Sequence, residues 1–190
     1  MIFKKVAGIC RTAKAVFIDS GAGGVQFIGD GVGMYAVSGM ELTPERAKVC
    51  FDVPAEKEGD WIFVENNNFV SGMVPEGEAE PLPIEIEYGG HSFVPFVFDG
   101  RCVVADARYL APLGRDLDGM TWGIDREETF LLGYAGMILT TVIHPVKTDD
   151  FNKMPGMLEQ ARRAFLVKSG GEPEDEQQNF EIDEETGEVM

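Results

Sequence analysis

Apolar residues recur along this chain with two periods, and the change from one to the other marks its elements. From residue 2 to 14, Ile2, Phe3, Val6, Ile9, Cys10 and Ala13 fall on one arc at about 100° per residue, which predicts an amphipathic helix. Lys4, Lys5 and Arg11 occupy the opposite arc, with Lys14 at the border. Ala15–Asp19 then reads as a strand and SGAGG, 20–24, as a loop. Val25–Ile28 and Gly33–Val37 flank a GDG sequence, a hairpin whose glycines supply positive φ. Thr43 followed by Pro44 predicts a helix start, and Ala47–Val53 continues it or forms a strand.

Trp61–Glu65 reads as a strand, with a turn at NNN, 66–68, and a linker or long loop at SGMVPEGEAEPLP, 71–83. After it, Ile84, Ile86 and Tyr88 alternate with Glu85 and Glu87, as in a half-exposed strand. Ser92–Phe98 and Arg101–Ala105 flank Asp99-Gly100, a strong hairpin signal. Asp106 is placed to cap a short helical turn, and Tyr109, Leu110 and Leu113 recur at the spacing that packs such a turn onto a sheet. Phe130–Tyr134 and Met137–His144 read as two strands about a tight turn at Ala135-Gly136, and Pro145 stops the second. Met157–Lys168 predicts a last helix, with Met157, Leu158, Ala161, Phe165 and Leu166 inward. Hairpin signals without βαβ alternation predict one α+β domain, residues 1–168, with a mainly antiparallel sheet and two or three helices.

Charge changes the picture at the C-terminal end. Of the 33 acids, nine lie in residues 171–190, which hold no Lys or Arg; 24 acids face all 16 bases in the remainder. So charged a segment, with so little apolar surface, predicts a disordered tail at 169–190. Within it Gln177, Phe180 and Ile182 form a small apolar patch, similar to the glutamine-plus-apolar peptides that dock on sliding clamps, or else a chance pair in a solubilising tail. No run of about 18 apolar residues occurs, so no membrane span or membrane partner is expected. The N-terminal residues make a poor signal peptide, which predicts a cytoplasmic location. Cys10, Cys50 and Cys102 are odd in number and each stands beside apolar residues, so buried reduced thiols are expected.

Motifs that would identify chemistry are scarce. His91 and His144 lack metal-ligand spacing, and no Gly-x-Ser-x-Gly, His-Glu-x-x-His or Cys-x-x-Cys occurs. GDGVG lacks the helix start and the Gly-Lys-Ser/Thr ending that a phosphate cradle needs. No cofactor or metal is expected. Asp99, Asp106, Asp116, Asp118 and Asp125 lie near one another in sequence, and an enzyme with a carboxylate site around Asp99, Asp106 and Asp125 is one reading; turns and caps account for most of them without a metal. The bases are more suggestive. Lys4, Lys5, Arg11 and Lys14, then Arg108 and Arg115, and then Arg162, Arg163 and Lys168 gather on or beside the helical segments, while strands and loops carry most of the acids. That segregation suits helices that face phosphates, and a solvated surface helix accounts for residues 2–14 equally well.

VQFIGDGVGMYAV, ELTPE, VVADARYLAPL and the closing IHPVK resemble small proteins of unassigned function from phages and prophages of Gram-positive bacteria, over most of residues 1–165. VVADARYLAPL and VIHPVK also resemble parts of a domain of the bacterial β sliding clamp, the DNA polymerase processivity factor. That likeness implies a single clamp-like domain built from a helix and three strands, twice, with Pro112 cutting the second helix short. It implies a non-enzymatic accessory protein of DNA metabolism, with duplex DNA or a replication protein as partner. A ring needs several such domains, so a clamp-like fold here does not by itself imply clamp function; a homo-oligomer is a separate expectation. The basic residues assigned to nucleic acid or a partner are Lys4, Lys5, Arg11, Lys14, Arg108 and Arg115. The rival of another class is an acidic decoy that occupies a host nucleic-acid-binding protein.

Overall fold

The structure, a computed structural model, describes residues 1–20, 24–39, 41–66, 70, 73–99, 101–125, 130–146 and 163. The predicted helix over Met157–Lys168 and the tail motif Gln177, Phe180 and Ile182 lie outside them, apart from Arg163, which is helical.

The fold is α+β with a mainly antiparallel sheet, as the hairpin signals predict. Helix α1, Phe3–Ala13, is followed by three strands, β1 (Ala15–Ser20), β2 (Gln26–Gly29) and β3 (Gly33–Val37). Then come α2 (Pro44–Cys50), a 3-10 helix at Ala55–Asp60 and β4 (Ile62–Asn66). Strands β5 (Gly77–Pro81), β6 (Ile86–Tyr88), β7 (His91–Phe98) and β8 (Arg101–Asp106) lead into α3, Ala107–Leu110. A second 3-10 helix, Gly114–Gly119, precedes β9 (Thr121–Ile124), β10 (Leu131–Ala135) and β11 (Ile138–Ile143).

Local chemistry explains the boundaries. Thr43 caps α2 by accepting from the Arg46 N–H, and Pro44 stands in the first turn, where its missing N–H costs nothing. Asp106 caps α3 by accepting from the Arg108 N–H. Proline 112 follows within two residues of that helix's end. The turns at Asp99 (φ 45°) and Gly136 (φ 62°) are left-handed, where the sequence placed hairpins.

A helix followed by a three-strand meander therefore occurs twice, as α1-β1-β2-β3 and α3-β9-β10-β11. The two meanders join through their last strands, Thr141 opposite Tyr35 and Ile143 opposite Gly33, so the central order is β1-β2-β3-β11-β10-β9. Consecutive residues on these strands, such as Phe27 and Ile28, Met34 and Tyr35, Leu131 and Leu132, or Val142 and Ile143, point to opposite faces and are all buried. On one face Val6, Ala7 and Cys10 of α1 and Tyr109 and Leu110 of α3 share a cluster with Ile18, Ile28, Tyr35, Leu131 and Ile143. Val70 and Met73 pack on the other, against Phe27, Met34, Leu132 and Val142.

Three features depart from the sequence expectation. The Pro- and Glu-rich stretch 71–83 contains strand β5, with Ala79 buried and glutamates 78 and 80 exposed. Tertiary position overrides its poor strand propensity: β5 pairs first with β9 and then with β7, joining the two halves of the sheet. Strand β9 had no sequence signal of its own. Finally, β4 lies parallel to β1, the one parallel pair in the sheet among the described residues. Beyond β11, an isolated bridge from Val146 to Val104 brings the chain back against β8.

Candidate functional site

The predicted basic residues, all six exposed, lie on α1 and its C-cap (Lys4, Lys5, Arg11 and Lys14), on α3 (Arg108) and on the 3-10 helix that follows it (Arg115). The register between α1 and α3 is set by the Ile2 N–H, which donates to the Pro112 carbonyl at 2.6 Å, and by Ile2 packing beside Gly114. The start of α1 thus lies against the turn that carries Arg115. Lys4 and Lys5 stand on the face of α1 away from Val6, Ala7 and Cys10. Neither they nor Arg115 have a carboxylate within ion-pair distance among the described residues. The others are engaged. Arg11 donates through Nε to the Phe51 carbonyl at 2.9 Å and through Nη2 to Asp52 at 3.2 Å. Lys14, the left-handed cap of α1, reaches Asp60 at 3.3 Å. Arg108 donates to Asp106 at 3.0 Å, its guanidinium lying over the Tyr109 ring.

The aspartates proposed as a carboxylate site each serve local structure. Asp99 forms the β7–β8 turn, Asp106 caps α3, and Asp125 accepts from the Phe130 N–H at 2.6 Å. Among the described residues no group of three or more His, Cys, Asp or Glu side chains is arranged to hold a metal ion. His91 stands 3.5 Å from Asp106, and the His144 ring packs against Phe130. A cavity of about 450 Å³ beside Phe17, Met34 and Val64 has Asp19 and Asp30 in its wall. Both already accept backbone hydrogen bonds, Asp19 from Val70 and Asp30 from Val32 and Gly33.

A polar chain that the sequence did not suggest ties the two units together. The buried Tyr35 hydroxyl donates to the Tyr109 carbonyl at 2.7 Å, and the Tyr109 hydroxyl donates to Asp30 at 2.9 Å. Burial first, and then the Asp30 charge, raise the pKa of both phenols far above the ordinary value, so they stay protonated donors. These partners are 74 and 79 residues apart, beyond any local motif. The glycines of GDGVG have packing roles here. A Cβ at Gly33 would lie 2.6 Å from the Tyr109 ring and 2.7 Å from the Tyr35 hydroxyl.

The expectation of three buried thiols is wrong at Cys50, which is exposed at the C-terminal end of α2. Cys10 is buried and Cys102 half-buried. Burial, helped by the Asp30 charge, pushes the Cys10 thiol up to about 12, and burial pushes Cys102 up to about 11. Since the thiolate is the reactive form, an aromatic disulfide reagent at pH 8 should titrate Cys50 quickly. Cys10 and Cys102 should respond only on unfolding. Fast release of two or three equivalents from the native protein would contradict this assignment.

No protein-family model, no curated protein and no solved structure matches this chain.

Proposed function

We propose that the chain is a non-enzymatic, clamp-like accessory protein of DNA metabolism that meets duplex DNA, or a partner that holds it, with the α1–α3 side. The observation that carries this reading is the doubled unit: each helix precedes a three-strand meander, the meanders join at β3 and β11, and both helices lie on one face. Lys4, Lys5 and Arg115 are the bases on that side without carboxylate partners among the described residues. Arg11 and Lys14 hold exposed ion pairs, which are weak and can be exchanged for phosphate, whereas Arg108 is held by the buried Asp106. Backbone phosphates suit such a surface because their recognition needs positive charge on a regular scaffold and no base-specific contacts.

Fluorescence anisotropy with a labelled duplex, across a range of salt, tests the reading. Each phosphate contact contributes about −0.9 to the slope of log K against log salt. The double variant Lys4→Glu/Lys5→Glu should lower affinity at least tenfold and flatten the slope by about two. Binding without salt dependence, or unchanged by the double variant, would remove DNA from this surface. No binding by the intact chain would favour the acidic decoy.

A further inference from the structure

We propose that β4 is a pairing surface for a second copy of this chain, which joins two sheets edge to edge about a two-fold axis. β4 ends the sheet, with β1 on one side and no strand on the other among the described residues. Proteins usually blunt such edges with proline, bulges or several charges. β4 has no proline, its register with β1 runs unbroken from Ile62 to Asn66, and Glu65 is its only charged residue. Ile62 on this edge is 59% exposed.

The backbone fixes which groups are open. The Ile62 N–H donates to the Lys14 carbonyl, and in a parallel ladder alternate residues turn their N–H and C=O to the same neighbour. Residues 62, 64 and 66 therefore face β1, while Phe63 and Glu65 turn theirs to the open edge. An antiparallel second copy can meet these groups in few registers. One centred on Glu65 sets like charges opposite each other, which is unfavourable. One centred on Phe63 needs the Trp61 N–H, which the Glu58 carbonyl already holds. Centred on Val64, the pairing puts Phe63 opposite Glu65 of the second copy and uses the N–H and C=O of both.

The side chains agree with that register. Phe63 packs on the helix side of the sheet, and Glu65, two residues on, shares its face. Glu65 of one copy therefore arrives beside Phe63 of the other. There Lys48 is held over the ring, 5.3 Å from its centre and 2.9 Å from Glu58. Glu65 has no ion pair of its own among the described residues, and the contact gives it a cation. On the other face, Ile62 and Val64 of both copies form one apolar row, since diagonal neighbours across a strand pair are in reach. The same strand serves both copies, so the contact closes on itself as a dimer and builds no ring. Its axis stands perpendicular to the sheet, and both α1–α3 sides look the same way.

Sedimentation velocity of the full chain tests the contact. One strand pair is a small interface, so association is expected at micromolar concentrations and above, and the series should reach about 500 μM. The sedimentation coefficient should rise along it. Glu65→Pro should weaken association at least tenfold, because it removes an edge N–H from each copy and none that β1 uses. Cross-linking reads the register and does not depend on that variant folding. With Cys50→Ser removing the exposed thiol, Val64→Cys should give a disulfide-linked dimer when oxidised glutathione is added. The two Cα atoms at 64 would lie about 4.5 Å apart, within disulfide reach. Ile62→Cys, with its Cα atoms roughly 14 Å apart, should cross-link at least tenfold more slowly. A monomer at every concentration would overturn the proposal and leave the edge to an extended segment of another protein. Equal cross-linking at 62 and 64, or association untouched by Glu65→Pro, would overturn it too. DNA takes no part in these measurements, so the dimer and the phosphate-facing side stand or fall separately.

Discussion

Replacing Tyr35 with alanine should lower the free energy of unfolding by about 3–5 kcal/mol, the range for removing a fully buried aromatic side chain. Tyr35 is 0% exposed and sits in the strand that joins the two meanders, opposite Ile28 of β2 on one side and Thr141 of β11 on the other. Its hydroxyl has a separate task. Helix α3 has four residues, too few for its last carbonyls to find helical partners, and the Tyr35 hydroxyl satisfies that of Tyr109 from across the core. Tyr35→Phe keeps the ring and leaves that carbonyl without its donor, which should cost about 1–3 kcal/mol. Urea titration should show a lower midpoint for both variants, alanine well below phenylalanine, at unchanged slope. Equal losses would mean that the ring contributes little and the hydroxyl nearly everything.

Gly29→Ala should be comparably damaging for a different reason. A Cβ at Gly29 would collide with the carbonyl of Gly33 on the neighbouring strand, and a paired backbone cannot move aside as a side chain can. Inserted methyl groups in packed sites typically cost about 1–3 kcal/mol, and this one should reach or exceed the top of that range. Gly59→Ala is the control. Nothing lies within 4 Å of a Cβ there and φ is not positive, so its effect should be small. A thermal melt of the two variants checks the contrast; similar midpoints would refute the backbone clash.

What could be read in the sequence was local. Thr43-Pro44, Asp106, Asp99-Gly100 and Ala135-Gly136 act through neighbours a few residues away, and each marked its boundary. β5 was hidden because its composition is that of a loop, and its strand conformation comes from β9 and β7, distant in sequence. The glycines of GDGVG were legible as a turn, but the close contact at Gly33 depends on Tyr109 from α3. For the candidate surface, the arc of Lys4 and Lys5 followed from helical periodicity. Which of the bases would be held by carboxylates did not, because Asp52 and Asp60 lie about 40 residues or more from Arg11 and Lys14. The buried indole N–H of Trp122, which has no acceptor among the described residues, carried no sequence signal, since an unpartnered donor is defined by everything packed around it.

The joining of the meanders has a consequence for how the chain comes to be folded. The free edge of β3 is filled only by residues 141–143, and the Thr141 hydroxyl donates to Met34, 107 positions earlier. During synthesis, α1 and the first meander emerge long before the strand that completes their sheet. Until then β3 offers unpaired backbone groups to any other extended chain, as open sheet edges do. Contacts between residues so far apart form late, because the intervening loop must first be closed. Newly made chains are therefore most exposed to mispairing between the emergence of β3 and that of β11, and the β3 edge is where a chaperone would have most to protect.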